Sequence, residues 1–574
     1  MSKVRPANIV KGDYQVISSF ENIVSMIKEE IRNGKKKIAI EFYPLTNESL
    51  LKEKLVDEIG AGLVINAKSI FISPVEMAEI IKYNVTDNRI FGVMSNHKFK
   101  NFIDIGKLNE AKEVVEKSED VSIVYGVGSS FLDTHDLLLY VDLPRWEVQK
   151  RYSTGRYSNW NTDNAGGDPQ RMQKQGYFFE WNLADNHKKN LFKQVDYILD
   201  VVNEEKPKMM AFNDYHELLK QVASQPFSLV PYFAPGIWGG HWMQEKFDIG
   251  KDKENLAWSF HGVPEENSLL LSIGSNEFET PANNLVFLFG EEILGERVFG
   301  RFGYNFPIRF NLLDTWGGQN LSLQVHPKVD YAQNIFGAHY TQDESYYILD
   351  AADDAVVYLG VNNGVEKDEL VSAFKEAESG EVAFDDEKYI YRSKMHKHDH
   401  YLIPSGTIHS SGKNSVVLEI SATPNRFTFK LWDWGRVDFD GLPRPINLEH
   451  GEANIDIYKD KDWVESELIN QFEVVSTGEG WVEERTGLHE TEFIETRRFT
   501  FSNKTDHETA GSVNVLSLVE GEQALVTSRE NEFEPFVVSY AQTFIIPNTV
   551  GRYSIEPYGE KVGEEFIIIK AYVR

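Results

Sequence analysis

The sequence predicts a multidomain chain, an α/β region built on a parallel sheet followed by all-β jelly-roll barrels. Its 574 residues are several times the roughly 100–200 of one domain. Between about 35 and 200, short β-branched runs alternate with stretches of helical period, the pattern of βαβ units. From about 231 onward the texture changes to short strands set apart by Gly, Pro, Asn and Asp turns, which points to a sandwich or barrel.

The strands expected in the front region are Lys37-Ile-Ala-Ile-Glu41, Leu63-Val-Ile65, Ile90-Phe-Gly-Val-Met94, Ser122-Ile-Val-Tyr125 and Leu137-Leu-Leu-Tyr-Val141. A helical segment is expected over 190–199, and Glu204-Glu-Lys-Pro207 reads as a polar break between domains. Further on, strands are expected at Asn320 to His326, Ser345 to Leu349, Ala355 to Leu359, His400 to Ile403, Val416 to Ile420 and Arg426 to Leu431, with one amphipathic helix near 367–378. Thr543-Phe-Ile-Ile-Pro-Asn-Thr549 echoes Tyr401-Leu-Ile-Pro-Ser-Gly-Thr407 and suggests a second stacked barrel. Five residues after its proline stands Arg552 rather than a histidine, so this barrel reads as structural. The domains are thus expected at 1–220, 221–450 and 451–574.

Composition narrows the function. With 59 basic and 89 acidic residues the net charge is −30, a field that repels nucleic acid and anionic membranes. The chain contains no cysteine, so a metal must be held by His, carboxylate or amide oxygen. No run approaches the roughly 20 apolar residues of a membrane span, and the first residues lack a signal-peptide pattern, which makes a cytoplasmic protein the expectation.

One constellation carries chemistry. In Leu321-Ser-Leu-Gln-Val-His-Pro, Gln324 and His326 are two apart on a strand and face the same side. Glu344 opens the next strand, and the turn Pro404-Ser-Gly-Thr swings His409 back toward it. Two nitrogens and two oxygens suit zinc, one ion per chain, and imidazole with carboxylate also accommodates iron, nickel or manganese. Singly, either histidine reads as a hydrogen-bonded interior residue; it is the set of four that favours a metal. Glu419, an acid inside Val-Val-Leu-Glu-Ile, faces either this site or a structural cation. The cluster His396-Lys-His-Asp-His400 reads as a solvated turn.

These residues resemble the type I mannose-6-phosphate isomerases. The likeness runs over roughly 210 residues, through Pro235-Gly-Ile-Trp-Gly-Gly240, Phe306-Pro-Ile-Arg-Phe-Asn-Leu-Leu313, Gln324 to Pro327, Glu344, Pro404-Ser-Gly-Thr-Ile-His409 and Val417-Leu-Glu419. It implies cupin barrels and interconversion of mannose 6-phosphate and fructose 6-phosphate through an enediol, with zinc on Gln324, His326, Glu344 and His409 and a hexose phosphate as the partner molecule. Lys328, Lys430, Arg436 and Glu419 are the implied catalytic and phosphate-holding residues. Bacterial members carry an arginine where Phe429-Lys-Leu-Trp-Asp-Trp-Gly-Arg436 has Lys430. Lysine releases a proton when desolvated and lacks the planar fork, so phosphate geometry, rate or substrate can differ. Two other readings remain open: a sugar-phosphate sensor that binds without turnover, and another metal-dependent cupin enzyme.

The front region resembles a degenerate P-loop kinase in Ile38-Ala-Ile-Glu-Phe-Tyr-Pro44 and in Leu139-Tyr-Val-Asp-Leu-Pro144 with Arg145 and Arg151. The phosphate loop itself is missing: Phe42-Tyr-Pro-Leu-Thr-Asn-Glu-Ser49 has no glycine to admit a phosphate and no lysine to meet it.

Overall fold

The computed structural model describes residues 4–132, 135–378, 382–424, 426–439, 441, 444–487, 489–560 and 562–574. The chain forms two compact units, one of residues 7–222 and 268–288 and the other of 1–6, 223–267 and 289–574. Among the described residues no helix is long and apolar enough to cross a membrane.

The first unit is a seven-stranded sheet of β1 (Ile17–Ser18), β2 (Lys37–Phe42), β3 (Leu63–Asn66), β4 (Ser122–Gly126), β5 (Leu137–Asp142), β6 (Tyr197–Asp200) and β7 (Lys208–Ala211), in the order β1-β7-β6-β5-β2-β4-β3. β3, β4, β2, β5 and β6 run parallel, and β7 and β1 are antiparallel additions. β2, β4 and β5 are apolar almost throughout because helices cover both faces. One of those helices, Pro74–Val85, begins with a capping box in which Ser73 Oγ accepts from Glu76 N and the Glu76 carboxylate accepts from Ser73 N.

Three front-region expectations differ from the structure. Ile90 to Met94 is an irregular segment, because its backbone is engaged by the Asn84 carbonyl, which accepts from Val93 N, rather than by a sheet edge. The helix expected over 190–199 ends at Leu191, and Tyr197–Asp200 is instead the strand beside β5. Glu204 to Pro207 is the turn between β6 and β7, inside the unit; the chain leaves it after Val222, and residues 268–288 return to it as the hairpin Ser268–Ile273 with Asn276–Pro281 and the start of a helix.

Within this unit Lys188 and Asp142 form an ion pair at 3.0 Å, each side chain 2 % exposed. Asp142 also accepts from Asn284 Nδ2 at 2.7 Å. Removing one partner of a buried pair strands the other charge, so Lys188→Met is expected to destabilise this unit by about 3–5 kcal/mol. The check is the urea midpoint of its unfolding transition, with Lys193→Met, at an exposed position, as the surface comparison.

The second unit holds two sandwiches. In the first, β8 (Tyr232–Ala234), β9 (Trp258–Phe260), β10 (Ile308–Asp314), β12 (Glu344–Ala351), β15 (His400–Ile403) and β17 (Ser415–Ala422) form one antiparallel sheet, ordered β15-β12-β17-β10-β9-β8. Facing it are β11 (Leu323–Val325), β13 (Val356–Val361), β14 (Ile390–Lys394), β16 (His409–Ser411) and β18 (Phe429–Trp432), ordered β14-β13-β16-β11-β18. Tyr346, Ile348, Tyr401 and Val417 of one sheet share a core with Val357 and Leu359 of the other, and Val464 and Leu468 of the helical segment after 450 close it.

The second sandwich pairs β19 (Glu473–Gly478), β20 (Trp481–Arg485), β21 (Ile494–Phe501), β23 (Asn514–Glu520), β26 (Thr543–Ile546) and β28 (Phe566–Val573) with β22 (Thr505–Glu508), β24 (Gln523–Ser528), β25 (Phe536–Ser539) and β27 (Arg552–Tyr558). The sequence echo has a structural meaning. β15 and β26 each form the edge of the larger sheet in their sandwich, and His409 and Arg552 each open a strand of the opposing sheet.

Candidate metal centre

Gln324 sits opposite His409 on one side and Lys430 on the other, on the neighbouring strands of the smaller sheet. His326 follows β11 directly, and Glu344 opens β12 in the larger sheet, opposite Ser421. The turn before His409 depends on Gly406 at φ +82°, whose N–H donates to the His326 carbonyl. A side chain there would be strained and would meet the Asp456 carboxylate at 2.5 Å.

His326, Glu344 and His409 converge, with one donor atom from each lying within 4.8 Å of the others. His326 Nε2 stands 3.3 Å from one Glu344 oxygen and His409 Nε2 3.0 Å from the other. Both imidazoles are oriented from behind: Nδ1 of His326 donates to the Phe427 carbonyl at 3.1 Å and Nδ1 of His409 to the Thr407 carbonyl at 2.9 Å. With the proton committed there, each Nε2 presents a lone pair to a carboxylate that is also an acceptor. Among the described residues, His326 Nε2 and Glu344 Oε1 are buried without a hydrogen-bond partner. Acceptor facing acceptor in a dry cavity is resolved by a cation, and the donor set fits one.

A proton on either Nε2 is the alternative to an ion, and the electrostatics show the same pull on positive charge. Burial alone would raise the Glu344 pKa, but the charge and hydrogen bonding of His326 and His409 hold the carboxyl well below its usual range. Burial would lower His326, and the Glu344 charge reverses this and raises it. Gln324 completes the group, with its amide 3.1 Å from His409 Nε2 and 3.1 Å from Ser322 Oγ. Turning that amide over keeps the Ser322 bond, the hydroxyl then accepting, and brings Oε1 to the cavity.

Glu419 faces the same interior. It lies opposite Tyr346 on β12 and Asn311 on β10, in register with the face that carries Glu344. Asn311 Nδ2 donates to it at 3.1 Å and Ser421 Oγ at 2.8 Å. Burial, then repulsion from Glu344, push its carboxyl up to about 7. Lys430 is half-buried opposite Gln324, and burial followed by repulsion from Arg444 draws its amine down to about 8.

The remaining expected residues are engaged elsewhere. Arg436 is held by Asp433 and donates to the Asn320 carbonyl at 2.7 Å. Lys328 pairs with Asp456 at 2.9 Å and is 41 % exposed. The histidines of the 396–400 cluster diverge: His396 pairs with Asp399, His398 lies 3.3 Å from Glu520, and His400 is buried with Nδ1 on the Thr486 carbonyl.

Two further cations belong to this interior. Arg309, 1 % exposed, sits opposite Ser421 and so shares the face of Glu419, and its Nε and Nη2 have no hydrogen-bond partner among the described residues. Arg444 approaches Asp433 at 3.0 Å from the side opposite Arg436. Arg309 was detectable in the sequence: within Phe306-Pro-Ile-Arg-Phe-Asn-Leu-Leu it alternates with Asn311 against Ile308, Phe310 and Leu312, which marks a polar inner row. Nothing local to Arg444 points to Asp433.

Comparisons with known proteins divide along the same line. A family model described as a domain of unknown function (DUF8485) matches residues 19–224. The mannose-6-phosphate isomerase ManA of Bacillus subtilis (strain 168) is 25% identical over 346 residues, covering 59% of this chain and 98% of that protein. The probable mannose-6-phosphate isomerase GmuF of the same organism is 29% identical over 229 residues, 39% of this chain and 67% of its own length. Among solved structures, the mannose 6-phosphate isomerase from Bacillus subtilis superposes with a TM-score of 0.49 at 22% identity, over 61% of this chain and all of that one.

Proposed function

We propose that the first sandwich of the second unit is the active site of a zinc-dependent aldose–ketose isomerase that interconverts mannose 6-phosphate and fructose 6-phosphate. The observation that carries this reading is the pair of imidazoles whose Nδ1 protons are fixed by carbonyls while both Nε2 atoms aim at one buried carboxylate. The names of the relatives, one of them aligned over nearly its full length, support the same reaction.

Gln324, His326, Glu344 and His409 would hold the zinc. Bound there, it supplies Lewis acidity, lowering the cost of negative charge on the sugar oxygens. The chain's own residues supply the rest. The reaction moves a proton between C2 of the aldose and C1 of the ketose, and Glu419 is the carboxyl suited to carry it, because it shares the face of Glu344, its Oε1 is fixed by Asn311 and Ser421, and burial pushes its pKa up. Arg309, on the same face with free donors, stabilises the charged form of Glu419 and anionic oxygen beside it. Among the described residues the charges acting on Lys430 are Arg436 and Arg444 against Asp433 and Asp438, so the three cations outnumber the two carboxylates and leave a local cationic surplus in a chain of net charge −30. That surplus is the phosphate anchor. Lys328, tied to Asp456, contributes to the rim.

The test is conversion of fructose 6-phosphate to mannose 6-phosphate by the zinc-loaded full chain. No turnover with any divalent ion would end the reading. Lys430→Met is expected to raise KM for fructose 6-phosphate by about tenfold or more, with a smaller change in kcat, since a charge-assisted hydrogen bond to phosphate is worth roughly 1.5–3 kcal/mol. Steady-state kinetics measure it.

The front unit we read as a kinase-like sheet without phosphate chemistry. The strand order β3-β4-β2-β5-β6 supports the likeness, and Phe42 to Ser49, without glycine or lysine, argues against phosphotransfer.

A further inference from the structure

The second sandwich contains a feature that a purely structural domain does not need. The inner face of its larger sheet is apolar over Phe501, Phe499, Ile568 and Leu518, and then continues, in the same register, into Arg497 and Lys570. These two cations lie directly opposite one another on β21 and β28, an arrangement that is unfavourable by itself. Arg497 is neutralised by Glu495 and by Glu483 at 3.2 Å. Lys570 is not. It is 7 % exposed, and among the described residues its ammonium has no hydrogen-bond or ion-pair partner, only the rings of Phe499 and Tyr572 at 5.2 and 5.7 Å.

Lys570 lines a cavity of about 510 Å³ at one open end of the sandwich, a size typical of small-molecule sites. His507 lines it too, stacked on Tyr553, with Nε2 on Thr505 Oγ1 and Nδ1 lacking a partner among the described residues. Arg552, the residue that opens its strand as His409 does in the first sandwich, stands at the same cavity. Of the other charged groups there, Glu483 is paired with Arg497 and Arg529 with Asp506 at 3.1 Å, Glu508 is exposed, and the Glu483 and Glu508 charges act on Lys570 without pairing with it.

We propose that this cavity binds a small hydroxyl-bearing anion, a sugar phosphate or sugar carboxylate, whose negative group meets Lys570 and Arg552. The aromatic faces of Phe499 and Tyr572 pack against its C–H surface, and the Asp506 and Glu508 carboxylates accept from its hydroxyls. The site is separate from the metal centre, and the proposal does not depend on what the first sandwich catalyses. Burial draws the Lys570 amine down to about 8, so the free amine is present in mildly alkaline buffer and open to acylation.

That reactivity supplies a local readout. The full chain is acetylated with an N-hydroxysuccinimide ester, and modification of Lys570 is followed by peptide mass spectrometry. Gluconate and glucitol 6-phosphate are the two anionic probes and glucitol is the neutral control. At about 10 mM, ten times a millimolar Kd, at least one anion is expected to slow acetylation of Lys570 about tenfold. Glucitol is expected to leave it unchanged, and the protection is expected to persist in His326→Ala. Which anion protects distinguishes carboxylate from phosphate. Lys570→Met is expected to abolish calorimetric binding of that probe to the His326→Ala background without lowering Tm. Protection by neither anion, equal protection by glucitol, loss of protection in His326→Ala, or undiminished binding to Lys570→Met would each overturn the proposal.

Discussion

Replacing His326 with alanine is expected to abolish both zinc binding and isomerisation while leaving the fold in place. His326 is one of the four proposed donors and the one whose Nε2 is buried without another partner among the described residues, so its loss would open the ion to exchange and leave the Glu344 charge half-met. Lewis-acid stabilisation of charge is worth several kcal/mol, so turnover should fall by about a thousandfold or more. Metal content of the purified protein, measured by mass spectrometry, should fall from near one zinc per chain to a small fraction. His400→Ala is the comparison. That ring is equally buried, but its Nδ1 serves the Thr486 carbonyl outside the site. It should lower stability and keep its zinc. If His326→Ala retains stoichiometric zinc, or His400→Ala loses it, the ion is held elsewhere.

The convergence of His326, Glu344 and His409 was legible because its geometry is local. Two residues two apart on a strand, and a histidine just past a glycine turn, declare their direction without knowledge of the rest of the fold. The ion-pair partners of the cations were not legible for the opposite reason. Lys328 is neutralised by Asp456, and Arg444 shares Asp433 with Arg436 only because the chain folds back over β18. Alternation alone could have flagged Arg309, but its meaning depends on pairing β10 with β17, more than a hundred residues later in the chain. In the front unit the apolar runs that became central strands were clear. Ile90 to Met94 has similar composition and forms no strand, because Gly92 packs against the Asn84 carbonyl, where a Cβ would stand only 2.3 Å away. Composition marks burial, and the partner decides whether a buried segment is sheet.

Glu419 provides the sharpest test of the chemistry. Glu419→Gln keeps the shape and the Asn311 and Ser421 contacts while removing the group proposed to carry the proton, so kcat should fall about 10²–10⁴-fold with zinc retained. The pH profile separates this role from a packing role. The carboxyl is pushed up to about 7 first by burial and then by the Glu344 charge. A dication at Glu344 more than cancels the second contribution, so in the zinc enzyme the acid limb of kcat/KM should lie below about 7. The sign follows from the base being the ionised form. Below that limb Glu419 is protonated and the rate drops tenfold per pH unit; above it the rate is level. In Glu419→Gln the limb should vanish along with the rate, and Arg309→Met, which removes the cation favouring the ionised form, should move the limb upward. A limb that survives unchanged in Glu419→Gln would assign the proton transfer to another group and leave Glu419 as an interior acid held in place by β10.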